Sequence, residues 1–509
     1  MTELKLEGSP VLVIGAGIMG AGIAQVAAQA GHAVLLFDAR DGAAAQARNK
    51  LGATFDGLVS KGRLDADAAR AALARITPIP TLAEAASVAL VVEAIVEDLA
   101  AKRALFQQLE GLVSPVCVLA TNTSSISVTA IANGLAQPGR LVGMHFFNPV
   151  PLMKLVEVVS GLHTDAAVAA AIFDLSKAWG KVPVHTLSTP GFIVNRIARP
   201  YYAEAWALLQ EQAATPAVLD ACLRAAGFRL GPCELMDLIG HDTNFAVTNS
   251  VYAANFYDKR YVPSGLQREM VDGGLLGRKS GRGFYHHPAG APALPVAVHE
   301  APATAREVTV HGNGAIADAL KAAATRALAA QGWGPARQRD SDWTGLSIDG
   351  ARLVLTDGRT AGAVAAASGA ADTAVFDRPV ALPSAPGTAL ACAVADSACA
   401  AWHTQALAWL AALGYTPLAV TDTPGLVVAR TVAMLINEAA DAVLQGVCDP
   451  AGADAAMKLG VSYPAGPFEW LARWDVGSVV SLLDALDAQY RGERYRVSPW
   501  LRRRVAAAG

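Results

Sequence analysis

The chain is poor in charge and carries no block of one sign. Over 509 residues, 41 Lys and Arg stand against 44 Asp and Glu, a formal charge of −3. That balance offers no basic footprint for nucleic acid or an anionic membrane, so neither partner is expected. Six cysteines (Cys117, Cys222, Cys233, Cys392, Cys399, Cys448) lie apart, with no CxxC pair and no Cys/His ligand spacing. They read as small buried apolar residues in a reducing compartment, and no metal is expected. No uninterrupted apolar stretch reaches the roughly 18 residues that span a bilayer. Met1–Glu7 lacks the basic-then-apolar pattern of a secretory leader, and a cytoplasmic location is expected. What remains is an Ala-rich chain, 53% hydrophobic, long enough for about three or four domains.

The densest signal is Gly15-Ala16-Gly17-Ile18-Met19-Gly20, directly behind the apolar run Val11–Ile14. A second apolar run, Val34–Phe37, ends at Asp38. Strand, tight glycine turn, helix, strand and acid are the parts of a dinucleotide grip. Gly17 lets backbone approach a pyrophosphate, Gly20 lets the helix lie close, and the helix from Met19 turns its first amides to the phosphates. A carboxylate at position 38 accepts ribose hydroxyls and repels a 2′-phosphate, which selects NAD over NADP. Arg40, two residues on, reads as a solvated surface arginine.

From residue 11 to about 187, β-branched runs alternate with Ala-rich stretches, the rhythm of a doubly wound parallel sheet. At Thr189-Pro190 the character turns helical, with Thr189 as N-cap, Pro190 at the first helical position and Pro200 kinking the helix that follows. This block recurs. Thr189-Pro190-Gly191-Phe192-Ile193-Val194-Asn195-Arg196 returns as Thr423-Pro424-Gly425-Leu426-Val427-Val428-Ala429-Arg430, and Gly231-Pro232-Cys233-Glu234 as Gly466-Pro467-Phe468-Glu469. We read a duplicated helical domain. The expected organisation is an α/β class chain: a Rossmann-type doubly wound sheet over 1–187, an all-helical domain over 188–289, a linker over 290–305, a degenerate Rossmann-like α/β segment over 306–420, and a second, structural helical copy over 421–509. Val308–Gly314 in the degenerate segment is strand then glycine turn, but it lacks the third glycine of the fingerprint, so a structural remnant is the preferred reading.

Ligands bind such sheets outside the carboxyl ends of the strands. His145, in Met144-His145-Phe146-Phe147-Asn148-Pro149, stands at that edge, and an imidazole suits general acid–base work near neutrality. Glu157, inside the apolar run Lys154–Val159, is costly to bury unpaired, and His145 is the partner in reach. A carboxylate on one ring nitrogen fixes the tautomer and orientation of the other. Thr121–Ser125 follows another strand, where its hydroxyls can reach a substrate oxygen and also cap the segment 126–133. Asn195 is replaced by Ala429 in the second copy, which points to a site role rather than a helix role.

Together, Gly15–Gly20, Val92–Glu97, Asn122–Ser125, His145–Glu157 and Thr189–Arg196 resemble the L-3-hydroxyacyl-CoA dehydrogenases, over residues 10–286 and again over 420–477. Within that family the chain is most similar to the long bacterial form with a second helical domain. Arg199–Tyr202 and Asp242–Thr248 resemble the branch acting on 3-hydroxyadipyl-CoA in aerobic phenylacetate breakdown. The resemblance implies NAD-dependent oxidation of a (3S)-3-hydroxyacyl-CoA to the 3-oxoacyl-CoA. The alternatives are a short-chain or 3-hydroxybutyryl-CoA enzyme of fatty acid β-oxidation and a non-catalytic NAD-binding protein. It implies His145 as catalytic base, Glu157 as its orienting partner, and Ser124 and Asn195 around the reacting oxygen. It implies Glu97, Lys102, Asn148 and Lys279 as NAD contacts beside Gly15, Gly17, Ile18, Met19, Gly20 and Asp38. Thr54, Lys61 and Ser124 fall on the CoA side. A terminal carboxylate on the substrate needs a cation, for which Arg196, Arg199 and Arg260 are candidates. Monomer and homodimer stay open, with the dimer favoured.

Overall fold

The computed structural model describes residues 4, 6–294, 302, 305, 307–380, 385 and 387–508. It divides into two compact units. The first comprises residues 1–196 and 442–462, the second 197–441 and 463–509. A stretch of the second helical copy thus belongs with the first sheet. Of the expected linker 290–305, residues 295–301, 303 and 304 lie outside the described residues.

The first unit is built on eight strands: β1 (Val11–Ile14), β2 (Val34–Phe37), β3 (Ile76–Pro78), β4 (Leu90–Glu93), β5 (Val118–Thr121), β6 (Leu141–Phe146), β7 (Leu155–Ser160) and β8 (Val182–Leu187). Their order is β3-β2-β1-β4-β5-β6-β7-β8. Strands β1, β4, β5 and β6 are buried along their whole length and mostly apolar because both faces are covered. Val11 and Val13 point into a core with Ile23, Ala27, Phe55 and Ile172, whereas Leu12 and Ile14 point into another with Phe106, Leu109 and Ile131. The strands β3 to β6 are parallel, as expected, but β6 and β7 are antiparallel. Only residues 147–154 join them, too few for the crossover a parallel pair requires. The reversal sets His145 directly opposite Glu157 in the ladder.

The Thr189-Pro190 segment is a turn rather than a helix start. Phe192 takes φ 48° and the helix opens only at Val194. Pro200 does not kink this helix; it stands in the first turn of a new one, Arg199–Gln210, where its missing N–H costs nothing. The recurrence at 423 repeats the turn, with Leu426 at φ 51°.

The second unit holds a mixed sheet: β9 (Val308–His311), β10 (Arg337–Arg339), β11 (Gly345–Ile348), β12 (Ala351–Leu355), β13 (Thr373–Phe376), β14 (Thr388–Val394) and β15 (Tyr415–Ala419), ordered β10-β9-β11-β12-β13-β14-β15. Its core gathers Val310, Leu320, Ala324, Phe376, Trp402 and Trp409. The helical copies in this unit repeat at the level of single bonds. Helices Pro232–Ile239 and Pro467–Trp474 each begin with Glu at the third position returning to the amide of Gly231 or Gly466, at 3.2 and 3.0 Å. The two copies also meet reciprocally. Glu204 accepts from Arg494 at 2.9 Å and Tyr495 at 3.0 Å. Its repeat, Glu438, accepts from Arg260 at 3.3 Å and Tyr261 at 2.6 Å. Position i of one copy bonds j of the other, and j bonds i, the hallmark of a two-fold interface.

Five of the six cysteines are buried as expected, but Cys399 is exposed at the head of helix Ala400–Ala412.

Candidate active site

The glycine turn divides its labour. A Cβ on Gly15 would stand 2.4 Å from the Ala94 carbonyl oxygen, and one on Gly20 1.7 Å from that of Gly15. Neither position admits a side chain. A Cβ on Gly17 would meet nothing within 4 Å, so Gly17 offers bare backbone to whatever lies on the turn. Helix Ile18–Gln29 has no side-chain cap, which leaves its leading amides for an anion. Ile18 is 78% exposed and Met19 half-buried at the same end, apolar surface that a bound dinucleotide would cover.

Asp38 accepts the Ala16 amide at 2.8 Å. Arg40 is not the solvated arginine expected. Its Nε and Nη2 reach the two Asp38 oxygens at 3.0 and 3.1 Å, and its own amide adds a third bond at 2.9 Å. These bonds, the Arg40 side chain first, hold the Asp38 carboxyl down at about 2. Beside the pair lies a cavity of about 390 Å³ bounded by Gly42, Pro78 and Pro80. Free ribose hydroxyls fit a carboxylate in this setting, and NAD fits the turn.

At the ends of β4 and β5 a buried ion pair fixes the loops. Lys102 donates to Glu93 at 2.6 Å and lies 3.3 Å from Glu97, and both members of the Lys102–Glu93 pair are fully enclosed. Glu93 also accepts Thr121 Oγ1 at 2.7 Å. Glu97 Oε1 gathers the Thr123 hydroxyl at 2.7 Å and the Ser124 and Ser125 amides at 2.9 and 3.1 Å. Burial pushes the Glu97 carboxyl up, but the Thr123 hydroxyl, the Lys102 charge, the Ser124 amide and the Ser125 hydroxyl outweigh it and hold it below its ordinary value. The Thr121–Ser125 stretch is therefore held by two carboxylates and does not cap the next helix. Ser127 caps Val128–Ala132. Asn122 Oδ1 accepts the Phe146 amide at 2.8 Å and ties β5 to the strand bearing His145.

His145 Nδ1 lies 2.6 Å from Glu157 Oε2. The other Glu157 oxygen accepts the amides of Ile193 and Val194, both at 3.0 Å. The positive φ at Phe192 aims those amides at the sheet. With a carboxylate on Nδ1, the ring carries its proton there and leaves Nε2 as acceptor. Phe147 and Phe192 flank the imidazole at 4.6 and 5.9 Å between ring centroids. Asn195 Nδ2 reaches the Ser124 carbonyl oxygen at 3.5 Å, so these two also meet. Asn148 is exposed on the loop after β6. Thr54, in the second half of helix Ala43–Ser60, and Lys61, just past its end, lie exposed, and the Thr54 hydroxyl donates to the Lys50 carbonyl at 2.9 Å. Lys279 belongs to the second unit, paired with Asp242. Arg260 is no receptor for a substrate carboxylate, because Glu438 and Asp441 already enclose its guanidinium.

Glu93 and the amides of 193–194 escaped the sequence reading as parts of the site, and Arg40 was read without its bonds to Asp38. Glu93 carries the signal that exposed Glu157, an acid ending an apolar strand. The amides carry none, since any residue supplies one.

The second sheet lacks the pair. Counting the 234-residue offset along β8 and β15 and then across the ladders, Asp377 stands where His145 does and Ala391 where Glu157 does. Asp377 alone takes the amides of Val427, Val428 and Ala429, at 3.0, 2.6 and 2.9 Å. The anchoring function survives there and the imidazole does not. Among the described residues, no group of three or more His, Cys, Asp or Glu is placed to hold a metal. No described helix is long and apolar enough to cross a membrane.

Residues 10–189 match the family model for the 3-hydroxyacyl-CoA dehydrogenase NAD binding domain, and 191–287 with 425–508 match the C-terminal domain of the same family. Residues 353–424 match the 3-hydroxybutyryl-CoA dehydrogenase reduced Rossmann-fold domain. The chain is 44% identical over 497 residues to the 3-hydroxyadipyl-CoA dehydrogenase of Escherichia coli (strain K12), covering 97% of each. It is 39% identical over 276 residues to the 3-hydroxybutyryl-CoA dehydrogenase of Clostridioides difficile, 54% of this chain and 98% of that one. A crystal structure of 3-hydroxybutyryl-CoA dehydrogenase from Escherichia coli K12 superposes with a TM-score of 0.88 at 41% identity, covering 99% of both chains. Fold, cofactor turn and matched domains agree: the chain belongs to the 3-hydroxyacyl-CoA dehydrogenase family of NAD-dependent oxidoreductases.

Proposed function

We propose that the chain oxidises (3S)-3-hydroxyadipyl-CoA to 3-oxoadipyl-CoA, with His145 as base, Glu157 positioning it, and Ser124 and Asn195 beside the reacting oxygen. The observation that carries the base assignment is the 2.6 Å bond from His145 to a carboxylate whose second oxygen is fixed by two backbone amides. Nε2 takes the C3 hydroxyl proton as the C3–H bond breaks and C3–O becomes a carbonyl. Glu157 steadies the imidazolium so formed. NAD, when bound, supplies the hydride acceptor. Gly15, Gly17, Ile18, Met19, Gly20, Asp38, Glu97, Lys102, Asn148 and Lys279 are its proposed contacts, with Thr54 and Lys61 toward the CoA.

The adipyl substrate rests on the relative of that name matched along nearly the whole chain. Arg196 and Arg199 remain its candidate carboxylate receptors. A guanidinium–carboxylate bond contributes about 1.5–3 kcal/mol. Accordingly kcat/KM for 3-hydroxyadipyl-CoA is expected to exceed that for 3-hydroxybutyryl-CoA by roughly tenfold to a hundredfold. Equal values, or a preference for the butyryl thioester, remove the adipyl reading and leave the dehydrogenase.

Asp38→Ala tests the cofactor contact. The variant loses a ribose acceptor and frees Arg40, a ready partner for a 2′-phosphate. KM for NAD is expected to rise about tenfold or more while that for NADP falls. Unchanged preference in steady-state assays would remove Asp38 from the site. The buried cysteines and the mild net charge support a cytoplasmic location. The reciprocal Glu204 and Glu438 contacts favour a monomer over the homodimer, since one chain carries both halves of the interface.

A further inference from the structure

The second helical copy does more than brace the first. Its residues 442–462 belong to the first unit, together with the His145–Glu157 pair. Helix Pro450–Gly460 packs on β7 and β8, and its repeat, helix Pro216–Ala225, packs on β14 in the second unit. Each copy thus lays a helix on the sheet that precedes the other copy. The bonds around these helices repeat at the 234-residue offset. The Leu187 amide donates to the Val447 carbonyl and the Thr421 amide to the Ala213 carbonyl, both at 3.0 Å. Arg196 donates to Gln445 at 2.8 Å and Arg430 to Glu211 at 3.1 Å. The two sheets so covered are not equal. The first carries the imidazole and its carboxylate, and Asp377 and Ala391 stand at those places in the second.

The docked helices also differ at their last turn. Helix Pro216–Ala225 has 10 residues and helix Pro450–Gly460 has 11. Gly460 is buried and closes its helix without a left-handed φ, so the backbone does not require glycine there, and alanine is the better helix former. The reason for glycine lies in the sheet. A Cβ on Gly460 would stand 2.7 Å from Leu155 Cδ2, 3.0 Å from Val194 Cγ2 and 3.6 Å from Phe147 Cε1. Each of these neighbours bears on the catalytic pair. Leu155 lies two residues before Glu157 on β7, on the same face of the sheet. Val194 gives its amide to Glu157 at 3.0 Å. The Phe147 ring flanks the His145 imidazole at 4.6 Å between centroids. The charge of Glu157 is felt at the foot of the helix as well. Burial, and with it the charges of Asp449 and Glu157, pushes the Cys448 thiol up to about 12 against the pull of Arg196.

We propose that Gly460 is a positioning residue of the dehydrogenase, its bare α-carbon letting the second helical copy hold Phe147, Leu155 and Val194 closed around the His145–Glu157 pair. The inference rests on the roles proposed for those two residues. A side chain at 460 overpacks the wall behind Glu157 and turns the carboxylate away from the ring it orients. The test compares Gly460→Ala, Gly460→Val, Leu155→Val and the Gly460→Ala/Leu155→Val pair in the full chain, by steady-state kinetics, NADH titration and thermal melts. The expected result is a kcat that falls from parent to alanine to valine, by about tenfold or more for Gly460→Val, with the dissociation constant of NADH unchanged. Leu155→Val removes the Cδ2 atom that the new Cβ would meet and keeps a side chain suited to a strand. In the paired variant it is expected to restore most of the kcat lost in Gly460→Ala. A glycine of merely structural value would lower the melting temperature and leave kcat per folded molecule at the parent value, which overturns the proposal. Absence of recovery in the paired variant overturns it too, and that comparison stands even where Gly460→Val does not fold. Failure of the base assignment is read separately. Parent turnover in His145→Gln removes the base, whereas parent kcat in the Gly460 variants beside an impaired His145→Gln removes this inference alone.

Discussion

His145→Gln is expected to lower kcat by about 10²- to 10⁴-fold while NAD binding persists, because a glutamine amide keeps the side chain's bulk and accepts no proton. The effect corresponds to about 3–5 kcal/mol of transition-state stabilisation. The loss should fall on kcat more than on KM, since the ring is assigned to the reacting proton rather than to the thioester. Rapid-mixing assays at 340 nm with parallel NADH titration separate the two. Turnover at the parent rate would reduce the His145–Glu157 pair to a structural brace. Glu157 has that second duty in any case, because its other oxygen holds the amides of Ile193 and Val194.

Arg430→Met carries the largest expected loss of stability. The guanidinium is fully buried and donates to Glu204 at 2.6 Å, to both Glu211 oxygens at 3.1 Å, and to Tyr490 and Tyr495 at 2.9 and 2.6 Å. Removing it takes the Arg430 charge from beside the buried Glu204 carboxylate, which keeps Arg494 and Tyr495, and a bond from each Glu211 oxygen, at a cost of about 3–5 kcal/mol. Burial pushes the Glu204 carboxyl up, but the charges of Arg494 and Arg430 outweigh it and leave it lowered. Its contribution to stability is therefore full above the ordinary carboxylate value of 4.5 and fades as pH falls through the lowered folded value. Denaturant melts at neutral pH should show the loss, and Glu204→Gln in the same chain should recover part of it. A change under about 1 kcal/mol would mean that water reaches the cluster.

The sequence made legible what short range dictates. Val11 to Asp38 is one continuous stretch in which each part announces the next, and the repeated Thr-Pro-Gly turns announce the duplication. His145 and Glu157 were legible because an acid in an apolar strand needs a partner. The antiparallel turn that brings them face to face follows from the shortness of 147–154, a count the βαβ rhythm obscured. Arg40 was misread because exposure and engagement are not opposites: its side chain is 73% exposed and still bidentate. Cys399 was misread because composition predicts burial on average and not at one helix head. The register of the second sheet had no sequence signature at all. Asp377 acquires its meaning only when ladders are counted across two sheets.

The paired glutamates of the two helical copies have a thermodynamic corollary. A two-fold dimer of separate subunits dissociates on dilution, and its melting temperature falls with it. Here Glu204 and Glu438 find their arginines and tyrosines along one covalent thread, so the encounter is first order and dilution leaves it untouched.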